Sequence, residues 1–279
     1  MLTDFGKSLA QTHYMERELN SEFGVRALLA IKPNRKGILF IHGYRGDAIS
    51  TWSDFSKILP GDNNFSGYDL LFYGYDGFRG ELIATVGIFR NFMDWLFGNP
   101  LALINHALGK NALRADGFAY DHVLVVAHSL GAVVSRWAII KATTAKSPWG
   151  NKTSLLLFAP AHMGANIVQL AIETASAFSI LKLGVGIARI KSPLIDQLKK
   201  GSDELASLAS EFTSATATNG NQHLIAKKVC IAQVENVVSN KTFCKDPEPS
   251  PIQGSTHKSI CKPRPGFNKP ILALRECMP

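Results

Sequence analysis

The sequence predicts an α/β fold, a mostly parallel central sheet flanked by helices with one helical, lid-like insertion. Two observations lead there. Short apolar runs at 38–41, 68–73, 154–158 and 228–232 read as buried strands, with stretches of helical period between several of them. A further run at 124–126 passes almost directly into a helix, because Leu130, Val133, Val134, Trp137 and Ile140 recur at helical spacing.

Composition sets the scale. A chain of 279 residues, 46% of them hydrophobic, is enough for one full core, so 1–279 is read as a single domain. Only 19% of residues are charged, and 30 basic against 22 acidic residues leave a net charge of +8. That excess fits contact with an anionic membrane or nucleic acid, and equally a plain basic solvated surface. Nucleic acid is not an expected partner, since the basic residues are scattered rather than interleaved with aromatics. The first 32 residues lack the apolar core and cleavage site of a secretory leader. Residues 167–190 come closest to a membrane span, but Glu173, Lys182 and Arg189 interrupt them. A cytoplasmic location, peripheral at a membrane surface, is therefore expected. Cys230, Cys244, Cys261 and Cys277 form no C-x-x-C pair, so no zinc site is expected and the thiols are read as reduced.

Taken in order, residues 1–24 read as a polar, partly helical lead-in and 25–31 as an early strand. The strand at 38–41 ends in His42-Gly43-Tyr44-Arg45-Gly46-Asp47, a glycine-rich bend that leaves backbone N–H groups free to face a crevice. Trp52, Phe55, Ile58 and Leu59 give a short amphipathic helix. After the strand at 68–73 and a loop at 74–80, residues 82–96 are helical. The aromatics Phe89, Phe92, Trp95 and Phe97 cluster at one end, as core or as the lining of an acyl pocket. Asn99-Pro100 breaks that helix, and 101–108 form another. Residues 165–223 hold no strong strand and read as a helical insertion, either a lid or a packed subdomain.

The chemistry centres on Ala127-His128-Ser129-Leu130-Gly131. A serine on so sharp a strand-to-helix turn is lifted above the sheet edge, where a nucleophile needs to be. Small residues must flank it two positions either way, because the turn crowds the backbone. The segment resembles the G-x-S-x-G nucleophile elbow of α/β-hydrolases, with alanine in place of the first glycine. Ile41-His42-Gly43, with Thr51-Trp52 further on, resembles the first loop of lipase-like α/β-hydrolases of the SERAC1 and PGAP1 type. The likeness covers about 36–160 and 227–262.

That resemblance implies the α/β-hydrolase fold and a serine esterase, most naturally one acting on lipid esters. It makes Ser129 the nucleophile and the backbone N–H groups of Tyr44 and Leu130 the oxyanion hole. It places the acid at Glu235, with Asp246 as the alternative one loop on, and the general base at His257. The order Ser129, Glu235, His257 is that of the fold. His42 and His162 read as loop-stabilising, and His128 packs beside the nucleophile. No metal or cofactor is implied. An ester or lipid is the expected partner. A thioesterase, an amidase or a non-catalytic binding module of the same fold are the alternatives, since fold alone does not set function.

Overall fold

The computed structural model describes residues 14–20, 24–108, 114–174 and 192–278. Its centre is an eight-stranded sheet in the order β1-β2-β4-β3-β5-β6-β7-β8. The strands are β1 Tyr14–Asn20, β2 Val25–Ala30, β3 Lys36–Ile41, β4 Asp69–Tyr73, β5 His122–His128, β6 Thr153–Phe158, β7 Lys228–Val234 and β8 Ser250–Thr256. From β4 across to β8 every pairing is parallel, and β1 and β2 join antiparallel at one edge. The central strands are buried nearly end to end, as helices on both faces require. Successive strands lie on opposite sides of β3, with β4 on one side and β5 on the other. At such a switch point the crossover connections part, leaving a crevice beyond the carboxyl ends of β3 and β5.

The helices are α1 Phe55–Ile58, α2 Leu82–Gly98, α3 Pro100–Leu108, α4 Leu130–Thr144, α5 Ile167–Thr174, α6 Pro193–Gln197, α7 Asp203–Ala217 and α8 Lys269–Glu276. Helix α4 is buried almost all round, with Ser135 and Arg136 inside as well as its apolar residues. A helix so enclosed shows little amphipathic pattern in its sequence. Arg136 is tolerated there because its guanidinium meets Asp246 at 2.5 Å and the Leu224 carbonyl at 3.0 Å, and lies over the Phe212 ring. Phe89 and Phe92 of α2 pack on Tyr73 with ring centres 5.0 and 5.1 Å away and are core, whereas Trp95 of the same cluster is half exposed.

Several expectations change. The expectation of partial helix in the lead-in falls largely outside the described residues, and residues 14–20 of it form a strand, β1. Its pairing with β2 is a tertiary fact, and its Glu16-Arg17-Glu18 run is a composition edge strands use to discourage further pairing. The stretch before His257 is a strand, β8, where the sequence suggests only a turn. Pro251, Gly254 and a largely exposed surface hide it, and proline is confined to edge strands like this one. Helix α8 goes unread in the sequence. The insertion 165–223 divides in two. Helix α7 packs on α4, with Glu211 accepting from Trp137 Nε1 at 3.1 Å and from Lys141 Nζ at 2.8 Å, so it is an ordinary flanking crossover helix. Helix α5 lies at the crevice, and residues 175–191, the centre of the lid expectation, fall outside the described residues. Among the described residues no helix is long and apolar enough to cross a membrane.

One buried polar cluster ties the antiparallel edge to the sheet. Asp69 accepts from Ala30 N at 2.8 Å, from Arg114 Nη2 at 2.5 Å and from the Tyr120 hydroxyl at 2.6 Å. Burial raises the Asp69 carboxyl above its ordinary value, and the Arg114 charge opposes that rise. Removing one partner of such a pair leaves a buried charge without its counterpart. Asp69→Asn is therefore expected to cost about 3 kcal/mol or more, read as a lower urea midpoint with an unchanged slope.

Candidate active site

Strand β5 ends at His128 and α4 begins at Leu130, so the whole reversal falls on Ser129. Its backbone takes φ 53° and ψ −118°, a strained conformation for a residue with a Cβ. The surroundings hold it there. Ser129 N donates to the Phe158 carbonyl at 3.1 Å, and its own carbonyl accepts from Ala132 N at 3.1 Å and Ala161 N at 3.3 Å. Gly131 has no alternative at its position. A Cβ there would lie 2.4 Å from the His42 carbonyl oxygen and 2.5 Å from that of Ile41. Gly43 is confined likewise, since its Cβ would come within 2.8 Å of Ser129 Cβ. Ala127, which takes the place of the elbow's first glycine, is fully buried within β5.

Three side chains from three strand ends meet over this turn. His257 directly follows β8, and its Nε2 stands 3.2 Å from Ser129 Oγ. On its other side Nδ1 lies 3.1 and 3.2 Å from the two carboxylate oxygens of Glu235, which follows β7. The tautomer with hydrogen on Nδ1 donates to Glu235 and leaves Nε2 free to accept the serine proton. Glu235 is itself held, because Oε1 accepts from Val237 N at 2.9 Å and Val238 N at 3.1 Å. The side chains of His257 and Glu235 are 2% and 3% exposed, so water competes little for these bonds. Asp246 does not reach the site. It is engaged with Arg136 and accepts from Ala226 N at 3.0 Å, so Glu235 is the acid next to His257.

His42, His128 and His162 hold backbone segments together. His42 Nδ1 donates to the Gly43 carbonyl at 2.8 Å, its Nε2 accepts from Tyr75 N at 3.2 Å, and its ring stacks on Tyr75. His128 Nε2 donates to the His257 carbonyl at 2.9 Å, which ties the end of β5 to the turn that carries the imidazole. His162 Nε2 donates to the Ala132 carbonyl at 3.0 Å and packs on Phe243. Burial lowers the pKa of all three, chiefly because a charged ring would lose its hydration. His122, at the start of β5, is pushed down to about 4 by burial and then by Lys227 and Lys36.

The crevice above Ser129 has a volume of about 230 Å³. The loop after β3 forms one wall, Leu170 and Glu173 of α5 another, and the turn carrying His257, Lys258 and Lys262 a third. Tyr44 belongs to that first wall, and Leu130 N is the first N–H of α4, ahead of any intrahelical acceptor. Neither amide has a backbone or side-chain acceptor among the described residues. Leu170 and Glu173 carry no sequence signal, because only the path of α5 across the crevice puts them there. Among the described residues no group of three or more His, Cys, Asp or Glu side chains is arranged to hold a metal.

Solved structures match the chain over most of its length. A monoacylglycerol lipase of Paleococcus ferrophilus is 12% identical with a TM-score of 0.52, over 94% of this chain and 99% of that one. Lipase BlEst2 of Bacillus licheniformis, in its mature form, is 16% identical with a TM-score of 0.50, over 89% and 93%. The 2-hydroxy-6-oxo-6-phenylhexa-2,4-dienoate hydrolase of Rhodococcus sp. strain RHA1 is 13% identical with a TM-score of 0.50, over 94% and 98%. The chain has the α/β-hydrolase fold these structures share. Nothing among them supports the narrower SERAC1 and PGAP1 likeness. No protein-family model matches the chain, and no curated protein does.

Two outcomes follow from this packing. Gly131→Ala is expected to cost about 3 kcal/mol, because a methyl group would have to displace two strand-end carbonyls rather than a flexible side chain. A chemical denaturation curve within 0.5 kcal/mol of the parent would contradict that, where 0.5 is roughly the effect of a neutral surface change. Stability should also fall as pH drops below about 6.5, the ordinary histidine value. His42, His122, His128 and His162 are depressed in the folded state, so below that pH the unfolded chain binds more protons. Their contribution is full above the unfolded pKa and is lost towards the lower folded values. Urea titrations between pH 7.5 and 5 should show net proton uptake on unfolding, each proton bound being worth about 1.4 kcal/mol per pH unit at most.

Proposed function

We propose that the protein is a serine hydrolase that cleaves carboxylic esters, lipid esters among them, through an acyl-enzyme. The observation that carries this reading is the unbroken hydrogen-bonded chain from Ser129 Oγ through the His257 ring to Glu235, opening on a crevice. A serine hydroxyl is a weak nucleophile on its own. Here the His257 imidazole takes the proton from Oγ as Ser129 attacks the ester carbonyl. Glu235 holds the ring in the right tautomer and stabilises the imidazolium. It acts as a positioning residue, itself oriented by two backbone amides. Charge then grows on the former carbonyl oxygen, where the amides of Tyr44 and Leu130 serve as donors. Each such donor is worth about 10² to 10³ in rate. His257 returns its proton to the leaving alcohol, and water repeats the sequence to release the acid.

Lipid is favoured by helix α5. It directs Leu170 into the crevice, while Val168 and Ile172 on its other face are 47% and 39% exposed among the described residues, so the helix that walls the crevice is apolar on both faces. Two of the solved structures of like fold are lipases by name.

Ser129→Ala and His257→Ala should each lower kcat on p-nitrophenyl butyrate by about 10⁶, the scale of such losses in a serine protease, and should keep the fold. Glu235→Gln should lower it by about 10⁴ while leaving slow labelling by a fluorophosphonate probe. More than a tenth of parental activity in Ser129→Ala, or no labelling of the parent protein, would sink the reading.

A further inference from the structure

Lys258 is the residue after His257, Lys262 lies one turn on, and Arg45 follows Tyr44, so all three cations line the crevice that holds Ser129. Among the described residues none of the three is in an ion pair with a carboxylate. Lys262 Nζ donates to the Ser50 carbonyl at 3.3 Å, and the Arg45 guanidinium lies 4.8 Å from the centre of the Phe78 ring. Both contacts leave donors unused. Of the two carboxylates on the same crevice, Asp47 is engaged by the amides of Ile49 and Ser50, which it caps at 3.0 and 2.8 Å. Glu173 stands on the α5 wall with a buried oxygen that has no hydrogen-bond partner among the described residues. The two walls thus differ in sign. Burial is the chief cause that lowers the pKa of His128, next to Ser129, and the charge of Lys262 adds a smaller push the same way.

Stereochemistry says which half of a substrate meets the cations. The leaving oxygen receives its proton from His257 Nε2, so the alcohol half departs past the imidazole. The turn at 257–262 is the wall beside it. That wall is fixed to the loop after β3 twice, by Lys262 on the Ser50 carbonyl and by Cys261 Sγ donating to the Thr51 carbonyl at 3.5 Å. We infer that the crevice selects esters whose leaving alcohol carries an anionic group, phosphate or sulfonate in kind, received by Lys258, Lys262 and Arg45. This rests on the esterase reading above and names the substrate class for that same site. Cations placed so close to the reacting centre favour the tetrahedral oxyanion as well as the ground state. The anion is directed to the lysine wall, because Glu173 repels it from the other.

The test is kcat/KM for three soluble butyryl esters, of propanol, hydroxypropanesulfonate and choline, which are neutral, anionic and cationic in the alcohol. At low ionic strength the anionic ester should lead the neutral one by about tenfold and the cationic one by more, and half-molar salt should shrink the lead. The double variant Lys258→Gln/Lys262→Gln should bring the anionic-to-neutral ratio towards one. Glu173→Gln should raise it, and reads the same site without touching the lysine wall. The same comparison with lysophosphatidic acid against monoacylglycerol in mixed micelles tells an anionic lipid from an anionic soluble ester, and a lead in either arm supports the site. Hydrolysis with no anionic lead in both arms would overturn it, as would a lead that survives the double variant. If none of the esters is cleaved and the fluorophosphonate probe does not label Ser129, the esterase reading falls and this inference with it.

Discussion

The approach of α4 to the end of β3 is the constraint on which the site depends. The carbonyls of Ile41 and His42 come so near the start of the helix that only a residue without a Cβ fits at 131. That closeness forces the reversal onto Ser129 and places its strained backbone between strands that cannot move aside. The same contact brings the glycine-rich loop after β3 beside the serine, so the Ser129 hydroxyl and the loop amides are positioned by one piece of packing. Strain of this kind persists only where the neighbours over-determine it, and here three backbone hydrogen bonds and two glycines do so.

The imidazole is held less by its own element than by its partners. His257 follows an edge strand with few buried residues, a poor base for a precise side chain. Its carbonyl is gripped by His128 from the end of β5, and its ring by Glu235, which is anchored in turn to two amides. Burial keeps His128 neutral, which suits a ring that donates one hydrogen bond and must not add a positive charge beside a second histidine. Geometry at a site is kept by the residues that hold the functional side chains in place.

Electrostatics divides the crevice. Cations stand along the loop after β3 and along the His257 turn, and the Glu173 carboxylate faces them from α5. A net charge of +8 spread over the surface says little by itself. Three cations with no ion pair among the described residues, gathered in one small cavity, are a different matter, because low-dielectric walls strengthen their field on whatever enters.

By itself the sequence determined what local chemistry can encode. The β5 run, the immediate helix and the small residues at 127 and 131 specify a sharp strand-to-helix turn with a serine at its apex, and the His-Gly loop specifies its neighbour. Those are short-range patterns, in which steric need is written directly into residue type. It also ordered Ser129, Glu235 and His257 along the chain, but it left Asp246 as a rival to Glu235. Only the tertiary structure decided between them, by giving Asp246 to a buried arginine more than a hundred residues away in sequence. The edge strands β1 and β8 needed the fold too, since a strand with one exposed side and a proline or a run of charges shows no pattern until its neighbour is known. So did the division of the insertion into a flanking helix on α4 and a helix at the crevice. Both halves have helical sequences, and what separates them is the surface each one meets.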